Sequence, residues 1–121
     1  MMKHLPIGLF GASTGAAAAI VAAAKRPDLV RSVVSRGGRP DLAGESLKKV
    51  KVPTMLIVGS YDDAVLVLNE QAKQQMTGEV SLKTVPRATH LFEEPGALAQ
   101  VADYASSWFW TTLKSDVGAE P

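Results

Sequence analysis

An apolar run, Leu5-Pro6-Ile7-Gly8-Leu9-Phe10, passes through Gly11-Ala12-Ser13-Thr14-Gly15 into an alanine-dominated segment that lasts to Arg26. A short apolar run closed by glycine reads as a buried parallel strand, and alanine is the strongest helix former. The chain must therefore reverse sharply between a strand and a helix whose small side chains let it lie close to a sheet. Ser13 stands at the tip of that turn.

The pattern then repeats with variations. Pro27-Asp28 ends the helix, and Leu29 to Ser35, with Val30, Val33 and Val34, supplies a second strand closed by Gly37-Gly38. Asp41 to Val50 reads as a short helix or loop. Thr54 to Val58 is a third strand, stopped by Gly59. Val65 to Met76 follows as a helix with Val65, Leu68, Ala72 and Met76 on one face. Val80 to Val85 alternates apolar and polar residues, as a half-exposed edge strand does. Pro95-Gly96 opens a last helix with Leu98, Val101, Ala102, Ala105, Trp108 or Phe109, and Leu113 at helical spacing. Ser115 to Pro121 reads as a frayed tail. The order predicts one α/β domain over 1–114, a mostly parallel sheet with helices on both faces.

Composition removes several function classes. With 13 basic and 12 acidic side chains the net charge is +1, and nothing draws the chain to nucleic acid or to acidic lipid. Lys48, Lys49 and Lys51 read as a solvated helix end. There is no cysteine, which excludes disulfides and thiolate chemistry and fits a cytoplasmic protein. His4 and His90 are the only histidines, too few for a histidine-rich metal site. Residues 1–24 superficially resemble a signal peptide, but Pro6, Gly8, Gly11, Ser13, Thr14 and Gly15 interrupt the apolar stretch.

The chemistry-bearing residues fall at one edge of the expected sheet. Gly11-Ala12-Ser13-Thr14-Gly15 is G-x-S-x-G between a strand and a helix, a turn that presents a strained serine. Gly11 and Gly15 are expected to keep β-carbons out of the turn, and the Thr14 N–H at the helix start is an expected oxyanion donor. Asp62-Asp63 follows the third strand and His90 follows the fourth. Ser, Asp and His thus appear in that order at the C-terminal ends of successive parallel strands. In this reading Ser13 attacks an acyl carbon, His90 moves its proton and Asp62 orients the imidazole. Each residue also has a plainer reading: a helix N-cap for Ser13, a helix-start pair for Asp62-Asp63 and a loop residue for His90. Tyr61 and Phe92, beside the acid and base, either line a pocket or pack.

Three stretches carry a family resemblance: residues 8–17 (Gly8 to Ala17), 35–44 (Ser35 to Gly44) and 88–96 (Ala88 to Gly96). Together with 53–69 they cover nearly the whole chain, which resembles the dienelactone-hydrolase-like esterase branch of the α/β-hydrolase superfamily. The resemblance implies that the elbow serine, the Asp of a G-x-x-D-x-x-V turn and the late histidine form a triad. In Gly59 to Val65 that turn selects Asp62 over Asp63. It further implies hydrolysis of ester-like acyl substrates without a cofactor; some relatives carry a fused phosphoribosyltransferase domain, and none is expected within these 121 residues. A complete member has about four strands and two helices before the elbow, and the loop giving a second oxyanion N–H lies there. The expectation is a truncated, minimal α/β-hydrolase fold whose elbow strand, normally central, is an apolar edge. Two such edges are expected to pair about a two-fold axis into a homo-oligomer.

Two other functions compete. Gly8, Gly11 and Gly15 suggest a nucleotide-binding loop, with Arg36 meeting a 2′-phosphate, although the spacing is not G-x-G-x-x-G and Asp62 and His90 are left idle. A hydrolase fragment that keeps the triad but lacks a competent oxyanion hole is the other. The sequence has no lid insertion and only 6% aromatic residues, so short-chain esters are favoured.

Overall fold

A computed structural model describes residues 5–118 of the chain, with side chains to Lys114. Four strands form one sheet in the order β1-β2-β3-β4, every pair parallel. The strands are β1 (Ile7–Ala12), β2 (Val30–Arg36), β3 (Thr54–Gly59) and β4 (Val80–Val85). Helices α1 (Thr14–Lys25), α2 (Ser46–Lys49), α3 (Asp63–Gln75) and α4 (Ala97–Gly118) connect and flank them, with a 3-10 turn at Pro40–Ala43. The uncertain stretch after β2 is thus the 3-10 turn followed by a one-turn helix. Its Lys48 and Lys49 are exposed. The helix backbone of α4 runs to Gly118, and the last residues of the expected tail, 119–121, lie outside the described residues.

The two sheet faces carry separate cores, as strand alternation requires. On one face Ala19, Ile20 and Ala23 of α1 pack with Val33, Leu47, Val50, Ala72 and Met76. On the other, Val34, Met55, Ile57, Val85 and Phe92 meet Ala97, Val101 and Ala105 of α4. Val33 and Val34 therefore serve opposite cores. The alanines of α1 allow the close approach that composition suggested.

Two helix faces differ from expectation. In α4 the buried line is Ala97, Val101 and Ala105, while Leu98 is 53% exposed and Ala102 is also exposed. One position around a helix turns a side chain by about 100°, so 98 and 102 fall off the seam that 97, 101 and 105 define. In α3 the buried positions are Asn69 and Ala72, with Met76 just beyond the helix, whereas Val65 and Leu68 are only half-buried. A polar residue, Asn69, thus takes an inward position that the expected face did not include.

Both edges of the sheet are partly open. β4 is an edge as expected, but its exposure does not alternate: Val80, Ser81 and Leu82 are half-buried, Lys83 and Thr84 exposed, and Val85 alone buried. β1 is the other edge, with Ile7 45% and Phe10 49% exposed. Beside it Pro6, Phe109, Trp110 and Leu113 line an apolar groove of about 520 Å³. No helix among the described residues is long and apolar enough to cross a membrane.

Candidate active site

The turn after β1 is shaped by close packing at Gly11. A β-carbon there would lie 2.5 Å from the Gly15 carbonyl oxygen and 2.8 Å from the Ala16 Cα, so only glycine lets the strand end against the first turn of α1. Gly15 has a different role from the one expected. A β-carbon added to it meets nothing within 4 Å, because its Cα faces away from the turn into open space. Ser13 adopts φ 52° and ψ −123°, a strained backbone for a non-glycine residue that costs on the order of 1–3 kcal/mol. Its carbonyl accepts N–H bonds from Arg39 at 3.0 Å and Ala16 at 3.2 Å, which hold the strained conformation.

The loops after β3 and β4 are laced together. The Tyr61 N–H donates to the Ala88 carbonyl and the Ser60 N–H to the Val85 carbonyl, each at 3.0 Å, and the Arg87 N–H donates to Ser60 Oγ at 2.7 Å. Gly59 makes this possible, since a β-carbon there would overlap the Ala88 carbonyl oxygen. Glu94 closes the second loop, accepting from Thr89 Oγ1 at 2.6 Å and from the Thr89 N–H at 3.0 Å. These bonds, the hydroxyl first, hold the Glu94 carboxyl below its ordinary pKa.

This lacing brings Ser13, His90 and Asp62 into one row. Asp62 Oδ2 lies 2.7 Å from His90 Nδ1, and His90 Nε2 lies 3.4 Å from Ser13 Oγ. With its Nδ1–H donated to the carboxylate, the imidazole presents the Nε2 lone pair to the hydroxyl. The Asp62 side chain is 14% exposed and that of His90 42%, so the acid is sheltered while the imidazole edge meets solvent. Asp63 is exposed in the first turn of α3, apart from this row.

The pocket residues divide. Tyr61 is 62% exposed beside Asp62, whereas Phe92 is 1% exposed within the α4-side core. Phe92 therefore packs and does not line an open site, because the loop turns its ring down onto Ile57 and Val85. Arg36 sits over that ring at 5.8 Å. Gly8 lies inside β1, where a β-carbon would strike Phe109, so it belongs to strand packing and not to a phosphate-binding loop.

The solved structure of a dienelactone hydrolase from Anabaena variabilis superposes with a TM-score of 0.85 and 59% identity, over 87% of this chain and 49% of that one. Over the matched residues the chain has the α/β-hydrolase fold of that dienelactone hydrolase. It spans about half the length of that hydrolase. An esterase domain from Rhodothermus marinus shares the fold at TM-score 0.77 and 19% identity, over 88% of this chain and 60% of its own. In two strains of Mycobacterium tuberculosis a protein named as a phosphoribosyl transferase is 62% identical over 105 residues, 87% of this chain but only 24% of that protein. No protein-family model matches the chain. The α/β-hydrolase frame explains the site's position, since parallel sheets of this kind place ligands at the C-terminal ends of their strands.

The bond of Asn69 to the Gly38 carbonyl and the close approach of Gly59 to the His90 loop were not expected from the sequence. A polar side chain on the inward face of α3 was the available signal for the first. The second needed the close approach of two loops, which spacing does not reveal.

Proposed function

We propose that this chain hydrolyses carboxylic esters, with Ser13 as nucleophile, His90 as general base and acid, and Asp62 as the group that orients His90. One observation carries the reading. Ser13 and Asp62 occupy the N-cap positions of α1 and α3, yet neither side chain caps its helix. Both instead face opposite nitrogens of His90. A side-chain cap contributes about 1 kcal/mol, so forgoing two caps argues for another use of these groups.

In this mechanism His90 Nε2 takes the Ser13 proton as Oγ bonds to the acyl carbon. The carbonyl electron pair moves to oxygen, where the Thr14 N–H at the start of α1 stabilises it. Collapse of this adduct breaks the bond to the alkoxide, which receives the proton from His90. Water then attacks the acyl-enzyme with His90 again as base, releasing the acid and restoring Ser13. Thr14 and Gly15 next to the serine and Tyr61 next to the acid are exposed, giving short acyl groups access but little apolar wall for a long chain. The transferase name of the mycobacterial relatives we assign to the parts of those proteins outside the matched 105 residues.

The test is covalent. A fluorophosphonate is expected to label Ser13, located by peptide mass spectrometry, with no adduct in Ser13→Ala. An unlabelled wild type that also leaves p-nitrophenyl acetate untouched would overturn the proposal. A second reading, a triad without turnover, rests on Thr14 being the only oxyanion donor assigned. Labelling of Ser13 without ester turnover would favour it.

We further propose that two copies pair through β1. The strand has one hydrogen-bonded neighbour, β2, and its exposed Ile7 and Phe10 adjoin the groove at Trp110 and Leu113. A two-fold axis along this edge satisfies the same donors and acceptors on both copies. Light scattering at micromolar concentration is expected to give twice the chain mass, and a clean monomer would defeat the pairing.

A further inference from the structure

We infer that Asn69 is a positioning residue for Ser13, acting through the peptide unit between Gly38 and Arg39. The inference rests on the serine-hydrolase reading for its catalytic consequence, but its structural link stands on hydrogen bonds alone. Asn69 lies on α3, with 0% of its surface exposed. Its Nδ2 donates to the Gly38 carbonyl at 3.1 Å and to the Val65 carbonyl at 2.8 Å. Both acceptors are carbonyls, so the nitrogen must be the atom that faces them.

The Gly38 carbonyl and the Arg39 N–H belong to one planar peptide unit. On its other side that N–H donates to the Ser13 carbonyl at 3.0 Å. One rigid plane is therefore held by Asn69 at one end and holds the strained serine at the other. The loop has little freedom to do this differently. A β-carbon on Gly38 would overlap Ser35 Oγ and Ala16 Cβ, and Arg39 is tied to Asp41 by two bonds of 3.0 and 2.8 Å.

The choice of side chain points the same way. Asn69 Oδ1 is buried and has no hydrogen-bond partner among the described residues, which costs stability that an apolar residue of similar size would not. Its two N–H bonds give the amide a use that leucine lacks. Asp62 also holds the N-cap position of α3, seven residues earlier, about 10 Å along the axis. One helix thus sets both the acid, at its N-terminus, and the nucleophile's turn.

The first experiment uses the wild-type protein. Hydrogen exchange by NMR is expected to show the Asn69 side-chain amide and the Arg39 backbone amide opening together, with the same denaturant dependence. Independent opening of Arg39 would overturn the inference. The second compares Asn69→Leu and Asn69→Asp with Thr112→Val, which loses the Thr112–Ser32 hydroxyl bond of 2.8 Å far from Ser13. In the Asn69 variants Arg39 exchange is expected to rise about tenfold and Ser13 labelling to slow by roughly 10- to 100-fold. KM for p-nitrophenyl acetate should stay constant while kcat falls. Thr112→Val should move neither Arg39 exchange nor labelling. Unchanged Arg39 protection in either folded Asn69 variant would sink the link. Coupled exchange in a wild type that never labels would support the link and reject the hydrolase reading.

Discussion

Ser13→Ala is expected to reduce p-nitrophenyl acetate turnover by at least roughly 10³-fold, and His90→Ala by a similar factor. The two losses should not multiply in the double variant, because nucleophile and base act as one unit. The geometry states why. Nε2 of His90 is 3.4 Å from Ser13 Oγ, close enough to tighten into a proton-transfer contact once an acyl group is bound. Neither substitution removes a buried packing group, so both variants should melt near the wild type. Ser13→Ala still leaves a positive-φ alanine in the turn, whereas Ser13→Gly removes the hydroxyl and the strain together and should be more stable. Steady-state kinetics with parallel thermal melts separates these effects. Full turnover in Ser13→Ala would remove the serine from the chemistry.

Gly59→Val is the second large effect, and here stability falls first. A β-carbon at 59 would lie 2.7 Å from the Ala88 carbonyl carbon and 2.9 Å from the Thr89 carbonyl oxygen. These are backbone atoms, so the loop carrying His90 must move away from the loop carrying Asp62. We expect a loss of about 3 kcal/mol and a melting temperature lower by roughly 10 °C. Turnover should fall beyond what the unfolded fraction explains, because the Asp62–His90 bond is lost. Gly15→Ala is the contrast. Open space surrounds that position and alanine favours helix over glycine by roughly 1 kcal/mol, so its melting temperature should hold or rise. A Gly59→Val protein that melts like the wild type would contradict the packing account.

Local chemistry made much of this legible in the sequence. α1 and β3 were readable because each is a run of one residue class bounded by glycine or proline, β4 because its residues alternate, and the elbow because it joins a strand run to a helix run. The order of Ser13, Asp62 and His90 along the chain then placed all three at one sheet edge. What escaped depended on contacts between distant segments. Gly11 and Gly15 look alike in the motif, yet only Gly11 meets backbone across the turn. Leu98 and Ala102 shared helical spacing with residues that are buried, but which seam of α4 faces the sheet is set by the strands beneath it. Phe92 appeared beside His90 in sequence and lies beneath it in space. Asn69 stood out only as a polar residue on the inward face of α3, and its partner, the Gly38 carbonyl, is 31 residues away.

Among the described residues three non-glycines have left-handed backbone: Ser13 at φ 52°, Arg87 at φ 62° and Phe92 at φ 56°. All three sit in the loops at the C-terminal ends of the strands, and among the described residues none sits at the opposite rim. Conformational cost is therefore concentrated where the reacting groups meet, as functional sites tend to concentrate it. For anyone selecting heat-resistant variants of this chain, that asymmetry divides the molecule into two territories. Gains taken from the rim near Arg26, Pro53 and Gly78 come without touching the serine. Gains taken by relaxing the turns at 13, 87 or 92 draw on the same strain that aims it, and activity should decline as melting temperature climbs.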